Sequence, residues 1–243
     1  MIFRNIVFAA IMVGIVSGLI YGVFQQIQLS PIIYAAEKFE VNNEAVDRHD
    51  HNSITEIAWS PENGAERVVW TLFANILTGI SFALVMLSLM AVHNLKSNKP
   101  KVDAVQGIGW GAVGLLAIFV APALIGLQPE VPGTMASALE HRQTWWLFAV
   151  VATVLGVAVL YYAPLKLKAI GLAIILLPQL TASSLHAQLS FENTDPVAVA
   201  ALNELGHQFF SMAAIGTALF FIILGAGSGF VVKKYINLES QPV

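Results

Sequence analysis

The 243-residue chain contains no cysteine, which excludes disulfides, iron–sulfur clusters and thiolate metal sites. Charge is scarce as well. Asp, Glu, Lys and Arg make up 11% of the residues, against 57% hydrophobic ones and a mean hydropathy of +0.73. That leaves too little polar surface to cover a soluble globule of this length, so water is not its main solvent. Also missing are a glycine-rich phosphate loop followed by Lys-Ser or Lys-Thr, a dinucleotide fingerprint and a basic face suited to nucleic acid. Neither nucleotide nor nucleic acid is therefore an expected partner, and no cofactor is expected. No charged residue sits in the middle of an apolar run and no His-Glu-x-x-His helix occurs, which argues against a buried proton relay and against a metalloprotease. No nucleophile and base pair stands out, so the chain does not read as an enzyme.

What the sequence does have is apolar length. A hydrocarbon core takes roughly 20 residues of helix, and runs of that order lie at 6–29, 68–92, 105–127, 145–163, 167–185 and 209–232. They predict an all-α integral membrane protein of six transmembrane helices, forming one membrane domain over residues 1–243. The fifth run carries Pro178, Gln179, Ser183 and Ser184 and follows the fourth after a short turn, so a broken or partly re-entrant helix is expected there. The first run is much longer than the roughly 7–15 residues of a signal-peptide core and is read as a retained span.

Direction follows from lysine and arginine, which resist transfer out of the cytoplasm when they lie in short loops. In a six-span arrangement Arg4, Lys96, Lys99, Lys101, Lys166, Lys168, Lys233 and Lys234 share one side, leaving Lys38, Arg48, Arg67 and Arg142 on the other. Both termini are thus expected in the cytoplasm, with the protein in the cell's inner (plasma) membrane. One larger outer loop, 30–67, then lies between the first two spans. Aromatic residues agree: Tyr34, Trp70, Trp145 and Trp146 fall at the outer interface, and Trp110, Tyr161, Tyr162 and Tyr235 at the inner one. The outer side also collects most of the carboxylates, among them Glu37, Glu40, Asp47, Glu62, Glu130, Glu192 and Asp195, and such a field draws cations to its mouth.

Histidine is distributed in the same one-sided way. His49, His51, His141, His186 and His207 fall on or near the outer side, and only His93 falls inside. In an extended segment His49 and His51 point to one face, and with Asp50 they form a compact set of nitrogen and oxygen donors for a divalent ion. Glu204 and His207, three apart on a helix, share a face, and Glu140 and His141 lead into Trp145. The candidate metal ligands are therefore His49, Asp50, His51, Glu140, His141, His186, Glu204 and His207. With no thiolate, such a set suits cobalt, nickel, zinc or manganese better than copper(I).

Within the spans, Gln25, Gln26, Asn75, Thr78, Ser81, Gln179, Ser183 and Ser184 are the polar side chains expected to face the bundle interior. Glycines recur every fourth residue at Gly14, Gly18 and Gly22, at Gly107 and Gly111, and at Gly225 and Gly229. That spacing predicts close helix packing. Pro122 and Pro178 each remove a backbone donor inside an apolar run, so the freed carbonyls need other partners.

Several of these stretches together resemble the family of predicted cobalt transporter subunits called CbtA. They are Gln25-Gln26-Ile27-Gln28 with Pro31, the His49 to His51 loop, Trp59-Ser60-Pro61-Glu62-Asn63-Gly64 with Glu66-Arg67, and Asn75-Ile76-Leu77-Thr78-Gly79. The resemblance continues through Ala121-Pro122-Ala123-Leu124 into Gly126-Leu127-Gln128-Pro129-Glu130-Val131-Pro132-Gly133, and at Arg142-Gln143 before Trp145-Trp146. It implies a multi-span protein that works beside a small histidine-bearing membrane partner, CbtB, in cobalt uptake for cobalamin synthesis. Cobalt is then the transported substrate. One departure stands out: the family pattern has a histidine after the proline of the fifth span, and here Gln179 follows Pro178, which leaves His186 as the substitute ligand in that region or leaves none. The other reading of the chain is a non-transporting membrane scaffold whose outer loop binds a partner. A membrane enzyme using Glu66, Arg67, Glu130 and Arg142 ranks below both.

Overall fold

The structure, a computed structural model, describes residues 2–40, 61–96, 102–184 and 190–235. Their regular elements are all helices. The only β-type pairing among them is an isolated antiparallel bridge between Thr134 and Phe191. The helices are α1 (Ile2–Phe24), α2 (Ser30–Glu37), α3 (Ala65–Lys96), α4 (Ala104–Leu115), α5 (Ala121–Ile125), α6 (Leu139–Tyr162), α7 (Lys168–Leu176) and α8 (Pro196–Tyr235). A π-helical turn at Gln25–Leu29 joins α1 to α2, and another at Leu116–Val120 joins α4 to α5, so each pair runs as one rod.

Both π turns have the same cause. Pro31 and Pro122 each stand two residues beyond a π turn, where a regular α-helix would drive the proline ring into the carbonyl one turn back. Widening the preceding turn relieves that clash while keeping the chain helical. The amides of Ser30 and Ala121 donate to the carbonyls of Gln25 and Leu116, five residues back.

Five helical rods are long and apolar enough to cross a membrane: Phe3–Glu37, Ala65–Lys96, Ala104–Leu124, Leu139–Tyr162 and Pro196–Tyr235. Between 22% and 39% of each apolar stretch is buried inside the chain, so most of that surface requires apolar surroundings of another kind, which a bilayer supplies. The run expected at 167–185 differs. It is the short α7 followed by a 3-10 segment, Leu177–Ser184, and is not one of the long helices. Pro178 is the reason, since it removes the amide that would extend α7.

Glycine decides which rods touch. A Cβ on Gly14 would strike the backbone of Gly79 and Ile80, and one on Gly18 would strike Asn75 and Ile76, so α1 lies directly against α3. Gly107 and Gly225 face each other's carbonyls, Gly111 faces that of Phe221 and Gly229 that of Asp103, which seats α4 on α8. Gly156 and Gly171 do the same for α6 and α7. Around these contacts Val13, Ala83, Met86, Leu87, Met90, Phe220, Phe221 and Leu224 form the apolar core of α1, α3 and α8.

The start of α1 and the end of α8 meet at one end of the bundle, where Asn5 Nδ2 donates to the Tyr235 carbonyl at 3.4 Å. Lys233 lies 3.6 Å from Asp103 there, and His93 Nδ1 is 2.8 Å from the Tyr162 hydroxyl. This is the basic, aromatic end, with Trp110, Tyr161, Tyr162 and Tyr235 grouped as expected. The opposite end carries most of the described acidic residues and is tied by Glu37 to Arg67 at 2.6 Å and Glu130 to Arg142 at 2.9 Å.

Candidate functional site

The acidic end is built from three segments that cross one another. After α5, Gly126 and Leu127 turn back by donating to the Pro122 carbonyl at 3.1 and 2.8 Å. The chain then runs through Pro129, Pro132 and Gly133, the last with φ of +79°, a conformation that glycine tolerates and other residues rarely adopt. This stiff segment pairs with the strand-like piece before α8: Met135 N donates to the Ser190 carbonyl at 2.8 Å, and Glu192 N to the Gly133 carbonyl at 3.0 Å. The third segment is the stub that follows α2. Asn193 Nδ2 donates to the Phe39 carbonyl at 3.0 Å. Ala36, Val131, Phe191 and Leu202 make a small apolar core beneath the three.

Between this cap and α8 lies a cavity of about 210 Å³ whose polar wall is Gln128, Glu130, Thr134, Asn203 and His207. A wider concavity adjoining it along the same segment includes Glu130 and Arg142. Glu130 thus faces both. Its Oε2 pairs with Arg142, and burial pushes its carboxyl above the ordinary range while Arg142 pulls it back. On α8, Asn203, Gly206, His207 and Phe210 follow the i, i+3, i+4, i+7 rule and form the stripe that lines the cavity. Phe210 stacks on Phe119 of the second π turn, with ring centroids 6.1 Å apart.

Beneath the mouth, the pair Trp145 and Trp146 fastens both proline-broken segments. Pro122 has no N–H for the Ile118 carbonyl, and Trp146 Nε1 donates there at 3.3 Å. Trp145 Nε1 donates to the Pro178 carbonyl at 3.2 Å, and Gln179 Nε2 to that of Ala121 at 2.8 Å. Gln179, which stands where the family pattern has histidine, therefore ties the 3-10 segment to α5. Its Oε1 is buried without a hydrogen-bond partner among the described residues.

The expected ligands divide into three sets. His49, Asp50, His51 and His186 lie outside the described residues. Glu140, His141 and Glu204 are exposed, and Glu204 is held by Gln208 Nε2 at 2.9 Å along the surface of α8. Of the expected ligands that are described, only His207 lines the cavity, and it too is exposed. Among the described residues no three His, Asp or Glu side chains gather as a metal-binding group. The spacing argument joined His207 to Glu204, whereas the cavity joins it to Asn203 and Glu130. Glu204 stands about 100° round the helix from Asn203, which takes it off the lining stripe. Glu130 was legible only as one outer acid among many; its distinguishing mark is confinement between Pro129 and the Pro132-Gly133 turn.

The in-span polar residues also sort. Asn75 Nδ2 donates to Gln25 Oε1 at 2.6 Å, a polar clasp between two apolar rods. Thr78 and Ser81 instead lie on the exposed surface of α3, where Ser81 satisfies itself on the Leu77 carbonyl. An isolated hydroxyl on a helix can do this at little cost, so it is not forced inward. The side chains of Ser183 and Ser184 lie outside the described set.

Apolar rods crossed by glycine contacts, with a polar cavity at one end, define a multi-pass helical membrane protein. The family model described as Probable cobalt transporter subunit (CbtA) matches residues 3–233, and the chain belongs to that family. A transporter subunit is not a class of enzyme, and a subunit works with at least one partner. No curated protein and no solved structure matches the chain.

Proposed function

We propose that this chain is the membrane component of a divalent-metal uptake system, with cobalt as its substrate and cobalamin synthesis as its purpose. The ion is gathered at the acidic end, outside the cell, and handed toward the basic end between the helices. The observation that carries this reading is the polar cavity at the acidic end, set beside the stub from which the loop bearing His49, Asp50 and His51 departs. Glu40, at the end of that stub, comes within 3.7 Å of where a Cβ on Gly133 would lie, at the rim of the cap. His49 and His51 capture the ion in the loop, with Asp50 supplying charge. Glu140, His141, His186 and Glu204 are further donors along the mouth. The partner is a small histidine-bearing membrane subunit of CbtB type.

In this reading the chain crosses the inner membrane six times with both termini in the cytoplasm. Two observations support it. Asn5, near the start of α1, meets Tyr235, at the end of α8, at one end of the bundle, as an even number of crossings would have them. The α7 and 3-10 segments have 9 and 8 residues, and at about 1.5 and 2.0 Å per residue they reach roughly 30 Å, the thickness of a hydrocarbon core.

A cobalt uptake assay in a deletion strain, complemented by this chain with and without the partner, tests the proposal. Uptake is expected only when both are present, and His49→Ala with His51→Ala is expected to reduce it at submicromolar cobalt. Uptake indifferent to the chain's deletion would favour the scaffold reading, in which the outer loop serves only to bind a partner.

A further inference from the structure

The geometry points to a divalent-cation site in the cavity under the cap, formed by Glu130 and His207 with Asn203 and Thr134 around them and distinct from the histidine loop. The inference deepens the proposed uptake function and rests on it for the identity of the ion. A carboxylate and an imidazole are the donors that first-row divalent ions such as cobalt accept in the absence of thiolate. The two come from different elements, the loop after α5 and the stripe on α8, so an ion between them joins the cap to the bundle.

The donor atoms have capacity to spare. Arg142 occupies Glu130 Oε2 through one contact at 2.9 Å, and a carboxylate has about four lone-pair positions over its two oxygens. Arg142 lines the adjoining wider concavity and steadies the carboxylate from that side as a positioning residue. Asn203 gives its amide hydrogen to the Val199 carbonyl at 2.9 Å, which leaves Oδ1 as its remaining acceptor. Thr134 likewise donates its hydroxyl hydrogen to Val131 at 2.7 Å and keeps its oxygen lone pairs. No hydrogen bond engages the His207 ring among the described residues, and the Ser211 hydroxyl donates to its backbone carbonyl.

Size and charge set the character of the site. The cavity volume of about 210 Å³ has room for several waters at about 30 Å³ each, so an ion can enter with part of its hydration shell and exchange a few waters for protein donors. With one carboxylate, one imidazole and a nearby guanidinium, the site holds the ion weakly. A transit site needs that: binding must favour entry yet permit departure.

The test uses the full chain in lipid nanodiscs and measures Co²⁺ binding by equilibrium dialysis. The His49→Ala, His51→Ala double variant is expected to retain one weaker Co²⁺ site, and adding Glu130→Gln or His207→Ala to it is expected to weaken that site by at least about tenfold. Because Glu130→Gln also leaves Arg142 without its partner, His207→Ala serves as the variant that spares the fold, since no hydrogen bond engages its ring among the described residues. Residual binding that survives both additions would overturn the site. The same variants enter the uptake assay. If the unaltered chain with its partner fails to restore uptake, the transport reading fails; if it restores uptake that Glu130→Gln and His207→Ala leave unchanged, the cavity site alone fails.

Discussion

Pro122 cannot satisfy the Ile118 carbonyl, and the indole of Trp146 reaches it from another helix. A buried backbone acceptor left without a donor costs about 1–3 kcal/mol, so Trp146→Phe is expected to lower the thermal midpoint of the detergent-solubilised protein by a corresponding amount. Glu130 gives a prediction in pH. Its carboxyl is raised above the usual value by burial, with Arg142 acting against that rise. A group that binds its proton more tightly when folded contributes most below its ordinary pKa, near 4.3 for glutamate. That contribution is lost as pH climbs through the raised value. Thermal midpoints from pH 4 to 7 should therefore fall less steeply in Glu130→Gln than in the unaltered chain. Arg142→Ala, which removes the opposing charge, should carry the fall to higher pH.

At the scale of elements, the stability of the bundle rests on backbones brought into contact at glycine. Gly225 and Gly107 meet through carbonyl and Cα atoms with no flexible side chain to yield. Gly225→Ala is expected to push α8 from α4 at a cost of at least about 1–3 kcal/mol, seen as a smaller monodisperse fraction on size exclusion. Gly109, on the same helix as Gly107, faces open space. Gly109→Ala should leave that fraction unchanged or slightly improved, because alanine favours helix over glycine. The pair separates a packing role from mere helix propensity. Four-residue spacing announced these contacts in α1, α4 and α8, yet it could not say which stripe meets which. It also passed over Gly156 and Gly171, which have no second glycine one turn away to mark them.

For the whole molecule, the absence of cysteine is an experimental advantage, since any cysteine introduced is the only one to label. Single cysteines at Glu62, Ala136 and Glu192 should react with impermeant maleimide in intact cells, and ones at Lys96, Lys166 and Lys234 only after lysis. Labelling of Lys166→Cys from outside would break the six-crossing arrangement. Membrane character, the spans other than the fifth, and the opposition of an acidic end to a basic one were all legible in the chain, because they depend on composition within a window and on charge near its ends. The 167–185 run was legible as a disturbance at Pro178, though not as a 3-10 segment tied down by Trp145 and Gln179. The lining of the cavity was the least legible part. Spacing along one helix placed Glu204 with His207, but a cavity takes its donors from whatever segments fold across it. Glu130 stands 77 positions before His207 in the sequence. Local patterns along the chain therefore dictated that this protein enters a membrane and which regions lie at its two ends. The pairing of glycine stripes, the partners of the broken helices and the company of Glu130 arose only on folding, because each depends on contacts between distant residues that no local period encodes.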